Sequence, residues 1–247
     1  MADGESRSGK TLRFRYTFLF SNGSSDELTV ELDYQTLTLI HEERASYPEW
    51  TDLGFHKCPT CPLSKATNPQ CPIARNLVPV VDWLKDHFSY EEVEVTVESE
   101  GRRYSKKTSL QEAAGSLIGI YNVTSGCPIL DKLRPMVATH LPFMTPDEST
   151  YRMISTYLMS QYFLHKQGQV ADLELKSFLT FLHEARETNS AFCDRIHVLG
   201  VKDASLNALS NLNAMGEIVS LSIEAEDLKR WERMFVKHWG GSDPGMA

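Results

Sequence analysis

A chain of 247 residues with 41% hydrophobic and 23% charged side chains can bury a core of its own, as one large domain or two small ones, without a metal for bulk folding. Its net charge of −8 argues against nucleic acid as a partner, because phosphate contacts need a basic surface. No apolar run approaches the ~18 residues that a membrane span requires, and Met1 to Lys10 lacks the apolar middle of a secretory signal. The expected location is therefore the cytoplasm, where thiols stay reduced and an odd cysteine count is natural.

In chain order, residues 1–10 read as a disordered tail. Residues 11–108 read as an antiparallel ββαββ unit. Phe14, Tyr16, Phe18 and Phe20 alternate with polar residues, the period of a half-buried strand. A turn-rich stretch from Ser21 to Asp26 leads to a second alternation at Leu28, Val30 and Leu32, and the two make a hairpin. The apolar phase shifts near Leu37 and Leu39, which marks a bulge or break. Ile73 to Phe88 carries helical spacing that Pro79 must start, kink or interrupt. Val93, Val95 and Val97 open a second hairpin that turns at Glu100-Gly101 and returns through Arg102 to Thr108. Its basic cluster, Arg102, Arg103, Lys106 and Lys107, suits an exposed strand edge better than a phosphate site.

Residues 109–239 read as helical, and 240–247 as a second tail. Ser109 with Glu112 has capping-box spacing, and Thr145-Pro146-Asp147-Glu148 adds a proline at the first helical position. Ile154, Tyr157, Leu158, Gln161 and Tyr162 trace one helix face, which ends near Gly168. Further stripes follow at Leu175, Phe178, Leu179 and Leu182, at Leu206, Leu209, Leu212 and Met215, and at Leu228, Trp231, Phe235 and Trp239. The fold class is α+β, a four-stranded sheet unit followed by a helical half.

The cysteines carry the functional expectation. Cys58, Cys61, Cys71 and Cys127 each precede a proline, whereas Cys193 precedes Asp194. With 11 prolines in 247 residues, a position is followed by proline about 4% of the time, so four such junctions form a set. Proline keeps the preceding residue out of the helical region and suits the first helical position. A cysteine there faces free backbone amides and the positive end of a helix dipole, which favours the thiolate that metals bind. The expected site is a tetrahedral zinc held by Cys58, Cys61, Cys71 and Cys127, with His56 and His140 as substitute ligands in second place. An iron–sulfur cluster on the same thiolates is the alternative cofactor.

The Cys58-Pro-x-Cys61-Pro-Leu63 run, followed by Cys71-Pro72 and Ser125-Gly126-Cys127-Pro128, resembles an uncharacterised family of bacterial proteins. In that family Leu-Arg-Pro-Met and His-Leu-Pro-Phe stretches follow the last cysteine, and here they are Leu133 to Met136 and His140 to Phe143. The resemblance covers roughly Phe55 to Lys166 and implies no activity.

Phosphate-binding, dinucleotide and nucleophile-elbow motifs are missing, and His183-Glu184 lacks the second histidine of a zinc protease helix. The expectation is a non-enzymatic, metal-stabilised interaction or regulatory protein with an unidentified protein partner. An iron–sulfur electron-transfer or redox-sensing protein stands second. A thiol oxidoreductase on Cys58 and Cys61, acidified by Lys57 and Lys65, stands third. On any of these readings the cysteine loop should pin the sheet unit to the helical half.

Overall fold

The computed structural model describes residues 10–41, 43–224 and 228–239. Apart from Lys10, the two tails expected from the sequence lie outside the described residues.

Alternation of large apolar side chains builds the sheet. β1 (Thr11–Phe20) turns its four aromatic residues inward, with Tyr16 and Phe18 fully buried. Each such side chain contributes roughly 1.5–3 kcal/mol of transfer free energy on burial. β1 pairs antiparallel with β2 (Ser25–Asp33) on one side and β4 (Glu92–Ser99) on the other, in registers that set Phe14 against Val30 and Phe18 against Val95. β5 (Arg102–Ser109) closes one edge as the hairpin partner of β4. Its cations meet carboxylates: Arg103 pairs with Glu98, Lys106 with Glu112 and Lys107 with Glu92.

The sheet has five strands rather than the four expected. After β2, the Asp33 carboxylate accepts hydrogen bonds from the backbone amides of Gln35 and Thr36, and Leu37 takes a positive φ of 56°. That turn is the expected phase break, and it returns the chain as β3 (Leu39–Ile40), which pairs with β2. The strand order is β3-β2-β1-β4-β5.

Helices cover the apolar face. α1 (Pro72–Leu84) starts with Pro72 at its first turn and runs through Pro79, which faces outward. Trp83 of α1 donates its indole N–H to Asp26 at the start of β2, at 2.9 Å. α2 (Leu110–Thr124) is buried nearly all round, as befits a central helix. It packs on α1 and on the β4–β5 hairpin, and against a 3-10 segment at Leu130–Thr139.

α3 (Pro146–Lys166), α4 (Lys176–His197) and α5 (Ala204–Glu224) complete the helical layer, followed by α6 (Lys229–Phe235). α5 lies against α2, α3 and α4. A Cβ on Gly115 of α2 would sit 3.4 Å from the carbonyl oxygen of Ala208, an ordinary contact distance, so this point of the α2–α5 seam has room for a methyl group. The turn before α5 is fastened to the loop after α1: Asp203 accepts from the Ser89 amide (2.9 Å) and hydroxyl (2.8 Å).

Two helical details differ from the sequence reading. Thr145 and Glu148 close the expected capping box at the start of α3, whereas Ser109 makes no side-chain cap to α2. Glu112, its expected partner, is held by Lys106 and Thr108 of the preceding strand instead. On α3 the buried residues are Ser149, Thr150, Met153 and Gln161, while Leu158 and Tyr162 are exposed. Among the described residues, no helix is long and apolar enough to cross a membrane.

Candidate functional site

The cysteine–proline junctions do what proline dictates locally, but they do not make a metal centre. Cys71 is the N-cap of α1, in extended conformation, with Pro72 entering the helix. Cys127 sits in a turn ahead of the 3-10 segment, its carbonyl accepting from the Asp131 amide. Cys58 and Cys61 lie in the loop before α1, and Cys193 lies on α4. All five are free thiols. Among the described residues, no group of three or more histidine, cysteine, aspartate or glutamate side chains could hold a metal ion. The expected zinc site on Cys58, Cys61, Cys71 and Cys127 is corrected on this point, as is the iron–sulfur alternative: among the described residues the thiols do not make a ligand set.

The Cys58 and Cys127 thiols are held in the protonated form by their surroundings. Burial pushes the Cys58 thiol up to about 12, and the negative charge that Cys71, Cys127 and Cys61 would carry adds to the effect. Burial also raises Cys127, against backbone hydrogen bonds from Leu130 and Ile129 that pull the other way. A protonated thiol is a poor nucleophile. Of the substitute ligands, His56 is exposed with a positive φ of 44° and its ring against Phe55. His140 lies elsewhere, beside the sheet.

The residue that ties the loop to the helical half is Arg195 of α4. It is 1% exposed, and its Nη1 donates to the carbonyl oxygens of Trp50 and Asp52, the latter at 2.8 Å. Its guanidinium also faces the Phe55 ring, and Phe192 one turn earlier meets Trp50 edge-on. Desolvation lowers the pKa of Arg195, opposed by the thiols of Cys71 and Cys58 and by Asp52. The sequence carried one signal of this: Arg195 shares a helix face with Phe192 and Ile196, where a cation needs a reason to be.

The cavity lies on the other side of α2. A space of about 550 Å3 is bounded by α2, the 3-10 segment, the start of α3, the middle of α4 and α5. That volume is in the range of small-molecule sites. Its residues on α2 run from Gln111 to Val123, about 18 Å along a helix rising 1.5 Å per residue. Leu133, Val137, Phe143, Met153, Leu182 and Leu212 give it apolar walls. Asn122 is only 4% exposed and lines the cavity, yet its Oδ1 has no hydrogen-bond partner, and Asn213 Oδ1 is in the same state. An unpaired buried amide oxygen costs roughly 1–3 kcal/mol, and natural folds seldom keep one without a use.

Two titratable residues meet on one wall. His140 Nε2 lies 2.8 Å from the Tyr16 hydroxyl, which is also 3.0 Å from Ser116 Oγ. Burial, and secondarily the charge of Arg152, lowers the His140 pKa to about 4, so the ring is neutral at physiological pH. Burial likewise holds the Tyr16 phenol well above its usual range. Arg152 of α3 donates from Nη2 to the carbonyl of Met136 (3.0 Å) and to Thr139 Oγ1 (3.3 Å), and its Nε is buried without a partner. Nothing in the residue pattern singled out Arg152, Asn122 or Asn213, because their common feature is a space between five separate elements.

The arrangement of helices on a five-stranded sheet can be set against known proteins. A family described as a domain of unknown function, DUF6901, has a model that matches residues 14–236. The chain belongs to this family. The DUF6901 match takes in the whole cavity, the Arg195 contact and nearly all of the sheet. No curated protein and no solved structure matches the chain.

Proposed function

We propose that this DUF6901 protein is a non-enzymatic binding or regulatory protein whose site is the cavity beside α2, taking one small, largely apolar molecule. The observation that carries this reading is the pairing of a roughly 550 Å3 apolar space with the buried, unpartnered Oδ1 of Asn122. Apolar walls supply affinity and a few convergent polar groups fix orientation. Leu133, Met136, His140, Leu141 and Phe143 all line the cavity. The Leu133 to Met136 and His140 to Phe143 stretches therefore serve, on this reading, as one wall of the binding site. A cytoplasmic setting suits the five free thiols, and a protein partner would respond to the filled state.

Thiol exchange at Cys58 and Cys61 is the weaker reading, since burial suppresses the Cys58 thiolate that would have to attack.

The test is titration with Nile red, a neutral apolar dye that fluoresces when desolvated. Saturable binding of one dye per chain is expected, weakened at least tenfold in Leu133→Trp, which fills the space. Far-UV circular dichroism and the melting temperature check that the variant folds. No saturable binding by the wild type, or the same affinity in a folded Leu133→Trp protein, would refute the proposal.

A further inference from the structure

We infer that the molecule held in this cavity is an amphipathic carboxylate, with its head on the Arg152 guanidinium and its tail along the apolar walls. This assignment rests on the cavity reading and adds the charge and polarity of the ligand.

The charges around the cavity decide what it can hold. Three charged side chains other than Arg152 matter, and each is engaged. Glu112 is held by Lys106 and Thr108. Arg186 pairs with Glu217 at 2.5 Å. Glu148, one turn before Arg152 on α3, is turned into the capping box, where it accepts from the Thr145 amide at 2.8 Å and the Thr145 hydroxyl at 2.9 Å. Arg152 itself has no carboxylate within ion-pair distance among the described residues. Its hydrogen bonds go to neutral oxygens, and its Nε remains buried with no acceptor.

The charge of Glu148 steadies the half-buried guanidinium from a distance, but no carboxylate touches it, and a bound one would satisfy it with two parallel charge-assisted bonds. His140, the other titratable group here, is neutral and adds no second cation, and Glu148 already acts on Arg152 from a distance, so the site suits no more than one further negative charge. That favours a monocarboxylate over a phosphate or a diacid. Asn122, with its unpaired oxygen, stands six residues, about 9 Å of helical rise, beyond Ser116 on α2. It offers an acceptor to a ligand hydroxyl or amide well away from the head. Met136, Met144, Met153 and Met215 around the cavity supply adaptable surface for a flexible tail.

The experiment compares dodecanoate with 1-dodecanol, which share a chain and differ in the charged head, as competitors of Nile red on the full-length protein at pH 7.5. Wild type is expected to bind dodecanoate at least tenfold more tightly than dodecanol. Arg152→Gln should lose that preference while keeping dodecanol affinity within about threefold, and Arg152→Lys should keep part of it. Equal binding of acid and alcohol by wild type, with the dye still displaced, overturns the carboxylate inference and leaves the cavity reading standing. An acid preference unchanged in Arg152→Gln also overturns it. Failure of the dye and both competitors to bind wild type sinks both readings together. If Arg152→Gln does not fold, the wild-type comparison and Arg152→Lys decide.

Discussion

Acid should weaken this protein through one histidine before its carboxylates matter. The His140 ring is neutral in the fold, with its pKa lowered from 6.5 to about 4 chiefly by burial. The unfolded chain, by contrast, protonates it near 6.5. Between those values the unfolded state binds a proton that the folded state refuses, so stability falls as pH falls. At about 1.4 kcal/mol per pH unit, the loss is about 2 kcal/mol at pH 5 and about 3 kcal/mol once pH reaches 4. Above pH 6.5 the residue contributes nothing. The depressed carboxylates act in a lower window. Asp33, Asp203 and Glu148 stabilise the fold above their unfolded pKa, and that contribution is lost only as pH drops below about 4. Urea unfolding at pH 7.5 and pH 5.0, in wild type and His140→Gln, isolates the effect. Glutamine can still meet the Tyr16 hydroxyl but cannot titrate. Wild type should lose about 2 kcal/mol more than the variant between the two pH values. Equal losses, within about 0.5 kcal/mol, would show that His140 takes up its proton freely in the fold and would refute the burial argument.

Arg195→Ala should cost about 3 kcal/mol in urea unfolding. The Trp50 and Asp52 carbonyls lose charge-assisted donors worth ~1.5–3 kcal/mol each, partly offset by release of a desolvated charge. A loss under about 1 kcal/mol would mean that those carbonyls find other donors. Alkylation of Cys58 by iodoacetamide at pH 8, followed by peptide mass spectrometry, should run at least about a hundredfold slower than for a free cysteine, because its thiol titrates near 12. Rapid modification in the folded protein would contradict its burial. Thr145→Ala should lower stability by about 1 kcal/mol through loss of the capping box, whereas Ser109→Ala, which removes no cap, should change it by less than about 0.5 kcal/mol. Gly115→Leu should destabilise by about 1–3 kcal/mol, since the atoms beyond its Cβ would press into α5 at Ala208, where a Cβ already reaches contact distance.

Features set by neighbours in the chain are legible in the sequence. The alternation of Phe14, Tyr16, Phe18 and Phe20 names a strand and its inner face, because pleating fixes a period of two whatever lies beyond. Thr145 to Glu148 names a helix start for the same reason, since its donors and acceptors lie within four residues. The Ser109–Glu112 spacing is equally good and fails: Lys106 and Thr108 reach Glu112 first. The outer stripe at Leu158 and Tyr162 misleads because a helix face is chosen by what packs on it, and α3 turns Met153 and Gln161 inward.

The cysteines mark the limit of local patterns. Proline after Cys71 reports a helix start, and Pro72 is indeed in the first turn of α1, but a backbone preference says nothing of a shared centre. Whether four thiols meet on one ion depends on three-dimensional placement, and here they do not form such a group among the described residues. The sequence by itself therefore determined the α+β class, the strand faces and the capped start of α3, all of which rest on interactions within a few residues. Only the tertiary structure decided that Arg195 reaches the Trp50 and Asp52 carbonyls across more than 140 residues of chain. It alone left Arg152 with no carboxylate in contact beside a cavity walled by five elements, because burial and charge compensation are properties of space and not of spacing.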